Sequence, residues 1–168
     1  MVYTDRFQLV DDYLVHFDSL MTGIADPFIQ SRYLGFITTA AVTAYELAIK
    51  DIFYEFADRK HVVLGAFVRS RFEKLNGRIL LRNLKKDHVA MFGIKYVDKF
   101  KKNILAKETG SLSSGSGSPS SSYGNIITWR HTFVHEVRTP STTNYDEVKK
   151  SYLLGKEVIH CLNDAMQR

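Results

Sequence analysis

One stretch limits the folds open to this chain more than any other: residues 27 to 57. Asp26 can cap a helix and Pro27 is allowed at its first position. From there Phe28, Leu34, Ile37, Ala41, Ala44, Leu47, Ala48, Ile52 and Phe56 recur at helical spacing on more than one face. A helix of that length is about 45 Å long. A helix apolar over much of its circumference must be surrounded by partners. Ala40, Ala41, Ala44 and Ala48 allow those partners to approach closely. The chain is therefore expected to build itself around this strut.

The flanking segments supply the partners. Phe7, Val10, Leu14, Phe17 and Leu20 form one stripe of a helix over residues 4 to 20. Val63, Ala66, Phe67 and Phe72 mark a third helix over 61 to 75, stopped by Asn76-Gly77. Ile79-Leu80-Leu81 reads as a short turn or helix, and Asp87 as the cap of a helix over 89 to 105. Gly93 costs that helix about 1 kcal/mol relative to Ala. Residues 109 to 124, rich in Ser and Gly, are expected to form a mobile loop because they offer little to bury. Asn125 then caps a helix anchored by Ile126, Ile127, Trp129, Phe133 and Val134, and Thr139-Pro140 ends it. Ser141-Thr142-Thr143-Asn144 offers caps for a last helix over 145 to 166. No run alternates as a strand would, and no repeat is present. The expected class is all-α: one domain over residues 1–168, a bundle of five to seven helices with an up-down core and the motif helix near its C-terminus.

Of the 168 residues, 45% are hydrophobic and 24% charged, the balance of an ordinary soluble globule. No apolar run reaches the roughly 18 residues of a membrane span, and no signal peptide opens the chain, so a cytoplasmic protein is expected. A single cysteine, Cys161, excludes an internal disulfide framework. The net charge of +5 is uneven: residues 69 to 108 hold twelve Lys/Arg and four Asp/Glu, giving +8, and the remainder carries −3. A concentrated basic face attracts polyanions. Lys95, Lys99 and Lys102 fall on one ridge and are the candidate RNA-binding residues.

The chemistry is concentrated in Arg130-His131-Thr132-Phe133-Val134-His135. Arginine presents a planar fork of donors suited to phosphate, and histidine exchanges protons near neutral pH. On an ideal helix His131 and His135 lie about 40° apart and share a face, whereas Arg130 and His135 are about 140° apart. The motif is thus half a site, completed by a distorted helix or by a second copy across a two-fold axis. The i, i+4 histidines have the spacing of a zinc pair, but Thr132 stands where His-Glu-x-x-His requires Glu, and no third ligand is evident. No metal or other cofactor is expected. Glu46 is either a surface carboxylate or a buried one that orients Arg130 or His135. His16, His61, His88 and His160 stand alone and read as structural or solvated.

Arg130-x-x-x-x-His135 on the penultimate helix of an all-α chain resembles the Arg-x(4–6)-His signature of HEPN domains. Its second residue, usually polar, is His131. Ala44-Tyr45-Glu46 on the long helix and the amphipathic last helix add to the likeness. The resemblance implies a homodimer that brings two Arg/His sets into one cleft, and often a metal-independent endoribonuclease of the toxin or antiviral-defence kind. By the same resemblance Arg130 and His135 are catalytic and His131 supports them, with RNA as substrate and an antitoxin or sensor protein as a further partner. Members paired with nucleotidyltransferase antitoxins carry Tyr two residues after the His; Val137 here speaks against that pairing. Inactive family members act as dimeric adaptors that bind nucleic acid or protein, and that alternative stays open.

Overall fold

The computed structural model describes residues 2–73, 75, 77–136 and 143–167, and they are all-α. Helix α1 spans Asp5–Leu20, followed by a 3-10 turn, Met21–Gly23. Helix α2, Pro27–Asp58, starts as expected: the Asp26 carboxylate accepts from the Phe28 N–H and Pro27 occupies the first turn. Helix α3, Val62–Phe72, is capped by His61, whose ring nitrogen accepts from the Val63 N–H. A three-residue α4, Leu81–Asn83, runs into a π-helical turn, Leu84–His88, and a 3-10 turn, Val89–Phe92. Helices α5, Ile94–Ser113, α6, Pro119–Glu136, and α7, Tyr145–Met166, complete the chain. Asn144 caps α7 by accepting from the Glu147 N–H.

Two expectations need correction. The helix expected over 89 to 105 is broken at Gly93, whose φ of 114° is open to glycine and costly for other residues. Asp87 accordingly sits inside the π-helical turn and caps nothing. The Ser/Gly-rich loop expected over 109 to 124 is far shorter. Residues 109 to 113 finish α5 and residues 119 to 124 begin α6, so Asn125 lies within α6. Two forces override the weak helix propensity of serine. Ser118 Oγ accepts from the Ser121 N–H and Glu108 accepts from the Ser120 N–H, satisfying the new helix start. Tyr123 is fully buried one turn later, which draws the segment into the core. Asn76, Val137, Thr139-Pro140 and Ser141-Thr142 lie outside the described residues.

The long helix is central, as its composition requires. Helix α1 runs antiparallel to it, tied by the Arg6–Asp51 ion pair at 2.6 Å and by Phe17 against Tyr33. Helix α3 covers its C-terminal half, where Phe53 and Phe72 stack at 4.7 Å. Helices α6 and α7 enclose its middle. There Tyr45 of α2 lies between Tyr123 of α6 and Tyr152 of α7, with near-parallel rings and centroids 5.3 and 5.8 Å away. Each hydroxyl is satisfied: Tyr45 donates to Tyr152 O, Tyr123 to Ile79 O and Tyr152 to Phe7 O. Burial pushes all three phenols well above their ordinary range, so they stay neutral donors. Gly155 makes the close packing possible, since a Cβ there would stand 2.4 Å from Tyr45 Oη and 3.2 Å from Tyr123 Cα.

Candidate functional site

The motif occupies the C-terminal half of α6. Its height in the bundle follows from two contacts with α2. Tyr123 lies against Tyr45, and Phe133 packs so closely on Gly35 that a Cβ at Gly35 would collide with its ring. The helices are antiparallel, and Arg130 is level with the buried Thr38. The motif therefore sits at the end of the bundle formed by the start of α2, the end of α1 and the start of α7.

The side chains divide by face, as the angular spacing predicts. Ile126, Ile127 and Tyr123 face the core, and Arg130 falls on that side, half-buried. Its Nε is buried and has no hydrogen-bond partner among the described residues. An unsatisfied buried donor on a cation costs on the order of 1–3 kcal/mol, so this N–H is available to donate to an anionic partner. His131 and His135 point the other way and are exposed, with ring centroids 4.4 Å apart. Two imidazoles at that distance can hand a proton between them or hold one oxyanion. Val134, 44% exposed, extends apolar surface beside them. Among the described residues no three His, Cys, Asp or Glu side chains gather to hold a metal ion.

Glu46 is not the orienter. Its carboxylate accepts from the Gly77 N–H at 2.6 Å and pins the turn after α3, where Gly77 has a φ of 75°. It is about 12 Å along α2 from the level of Arg130. The sequence hides this use because Gly77 lies 31 residues away.

The lysine ridge is also displaced from the motif. Helix α5 runs antiparallel to α7: Lys99 Nζ donates to Gln167 O, Asn103 to Cys161 O, and Lys107 pairs with Glu157 at 2.9 Å. Lys95, Lys99 and Lys102 thus stand near the C-terminal end of α7, whereas Arg130 is level with about Val148 at its start. The separation is about 20–30 Å along the bundle. Within one protomer the ridge does not border the Arg/His set.

The all-α bundle, with Arg130 and His135 late in its penultimate helix, is consistent with the HEPN resemblance. The family model described as RiboL-PSP-HEPN matches residues 3–168, and the chain belongs to that family. No curated protein and no solved structure matches it.

Proposed function

We propose that this protein is a metal-independent endoribonuclease acting as a homodimer. The observation that carries the reading is the split of one motif across two faces of α6: Arg130 with an unsatisfied buried Nε on one side, and paired exposed His131 and His135 on the other. On a regular helix Arg130 and His135 are about 140° apart, which favours a site shared between two copies. A two-fold axis beside α6 sets the histidines of one copy near those of the other and encloses a shared cleft. Exposed apolar residues at the same end of the bundle, Val134 on α6 and Ile29 and Phe36 on α2, supply surface for that contact.

In the cleft the 2′-hydroxyl of RNA attacks the adjacent phosphorus, and the P–O5′ bond breaks to leave a 2′,3′-cyclic phosphate. His135 acts as general base toward the 2′-hydroxyl or as acid toward the departing 5′-oxygen. His131 positions the phosphate or relays the proton. Arg130 stabilises the charge that builds on the phosphorane oxygens. The family's toxin and defence members make a growth-arresting or antiviral effector the natural setting, with an antitoxin or sensor protein as regulator.

The test is digestion of RNA in EDTA by wild-type protein and by His135→Ala. Wild type should yield 2′,3′-cyclic ends, and the variant should lose about 10²–10⁴-fold in rate with its helicity and dimer retained. Full activity in the variant would sink the assignment. The separation of Arg130 from His135 within a protomer also favours a second reading, a dimeric adaptor. Tight RNA binding without cleavage by wild type would select it.

A further inference from the structure

The richest cationic stretch of the chain does not meet the motif, and a different surface gathers part of it. Helix α3 and the π-helical and 3-10 turns after α4 leave a groove of about 970 Å³ between them, bordered by Phe67, Arg71, Arg78, Asp87, His88 and Met91. Its floor is firm. Phe72 is buried, stacks on Phe53 and meets the His88 ring at 5.4 Å, and His88 Nε2 donates to Arg78 O at 2.8 Å.

Arg6, Arg59 and Arg69 are each neutralised by a carboxylate, from Asp51, Glu55 and Asp58. The guanidinium groups of Arg71 and Arg78 have no hydrogen bond or ion pair among the described residues, although Asp87 lines the same groove. Beside them Phe67 is 59% exposed and Met91 42% exposed. An exposed aromatic ring next to two unpaired guanidinium groups matches a single strand: its phosphates take the bidentate forks and its bases have a π-face to stack on. The π-helical turn that forms one wall is a rare distortion, often found at functional sites.

We propose that this groove is a second nucleic-acid site, an exosite for single-stranded RNA, with Arg71 and Arg78 on consecutive phosphates and Phe67 under a base. It rests on RNA being the substrate and adds where the strand is held away from the cut. Phe53 marks the level of the groove on α2 and Thr38 the level of Arg130, so the two are about 22 Å apart along the helix. A strand docked in the groove runs on for several nucleotides before reaching a motif, which confers preference for longer unpaired RNA over very short substrates.

The test separates holding from cutting. Fluorescence anisotropy with a labelled 2′-O-methyl oligouridine reports binding alone, because that strand lacks the attacking hydroxyl. The Arg71→Ala/Arg78→Ala double variant should bind at least about tenfold more weakly, with a log K against log salt slope shallower by roughly 1.4. Phe67→Ala should weaken binding by about tenfold, and His135→Ala should bind like wild type. Cleavage of a dinucleoside monophosphate, too short to reach the groove, should be unchanged in the double variant. Unaltered oligonucleotide affinity in the double variant, or no binding by wild type, overturns the exosite and leaves the proposed cleavage standing. Absence of cleavage by wild type with groove-dependent binding intact overturns the nuclease and leaves the groove as a single-stranded RNA-binding site. If the double variant loses affinity for a polyglutamate peptide but not for the oligonucleotide, the groove docks an acidic protein and the RNA assignment falls.

Discussion

The two halves of α6 are built on opposite terms. In the first half, Pro119 to Ile127, the inward-facing side chains are buried and the Tyr123 hydroxyl has its acceptor. In the second half a guanidinium nitrogen is buried without a partner, two histidines are exposed side by side, and Val134 faces solvent. The second half keeps packing contacts, such as Phe133 on Gly35, but also carries groups that packing alone leaves unsatisfied or exposed. Local conflicts of that kind are expected where a protein gives up stability for function. The contrast implies that substitutions in the first half are felt as stability, and those in the second as activity.

The largest effect should come from the stack. Tyr45→Ala removes the central ring and its hydrogen bond to the Tyr152 carbonyl, and urea unfolding should show a loss of about 4 kcal/mol. A loss below about 1 kcal/mol would mean that the stacked rings do not hold the core together. Arg130→Met inverts the expectation. It keeps the apolar stem and deletes the unsatisfied nitrogen, so stability should hold or rise by about 1 kcal/mol. RNA cleavage should meanwhile fall by about 10²–10³-fold. Joint loss of stability and activity would place Arg130 with the packing residues and erase the contrast.

The smallest effect concerns how the motif end of the bundle is closed. Asp18 of α1 accepts from Lys149 at 2.6 Å and from the Tyr145 hydroxyl at 2.7 Å, both on the first turns of α7. These hydrogen bonds, Lys149 first, hold its carboxyl below the ordinary carboxylate range. A carboxyl lowered by folding stabilises the protein above its unfolded pKa, about 3.9, and loses that contribution as pH falls through the folded value. Asp18→Asn should therefore cost up to about 1 kcal/mol at pH 7, and its deficit should shrink as pH falls through the lowered folded value. Urea midpoints of the two proteins across an acid pH series decide it. A deficit independent of pH would assign the effect to shape instead of charge.

Most of the helical framework was legible because periodicity reports burial directly. The stripe Phe7, Val10, Leu14, Phe17 is the buried face of α1, and the multi-faced apolar pattern of residues 27 to 57 marked the helix around which the rest packs. Asp26 and Asn144 act as the caps their positions suggested. Errors fell where composition argues one way and tertiary contact another. Serines between residues 109 and 124 read as loop, yet Tyr123 and the Glu108–Ser120 bond hold most of that stretch in two helices. Gly93 read as a weak helical residue, yet its backbone is a break. Arg71, Arg78 and Phe67 were visible as residues, but no periodic rule brings residues 67 to 91 around one groove.

The sequence by itself determined the class of fold, the central helix and the face on which each motif residue lies, because all three depend on helical geometry and burial over short range. It even carried the division of Arg130 from His131 and His135, since 100° per residue is a local fact. Only the tertiary structure decided which groups meet across the chain: that Glu46 serves the Gly77 turn, that Tyr45 is held between Tyr123 and Tyr152, and that Lys95, Lys99 and Lys102 stand at the far end from the motif. The reason is reach. A side chain finds its partner through space, and the direction and register of packed helices, which place residues 31 to 107 positions apart in contact, are set by the whole core at once.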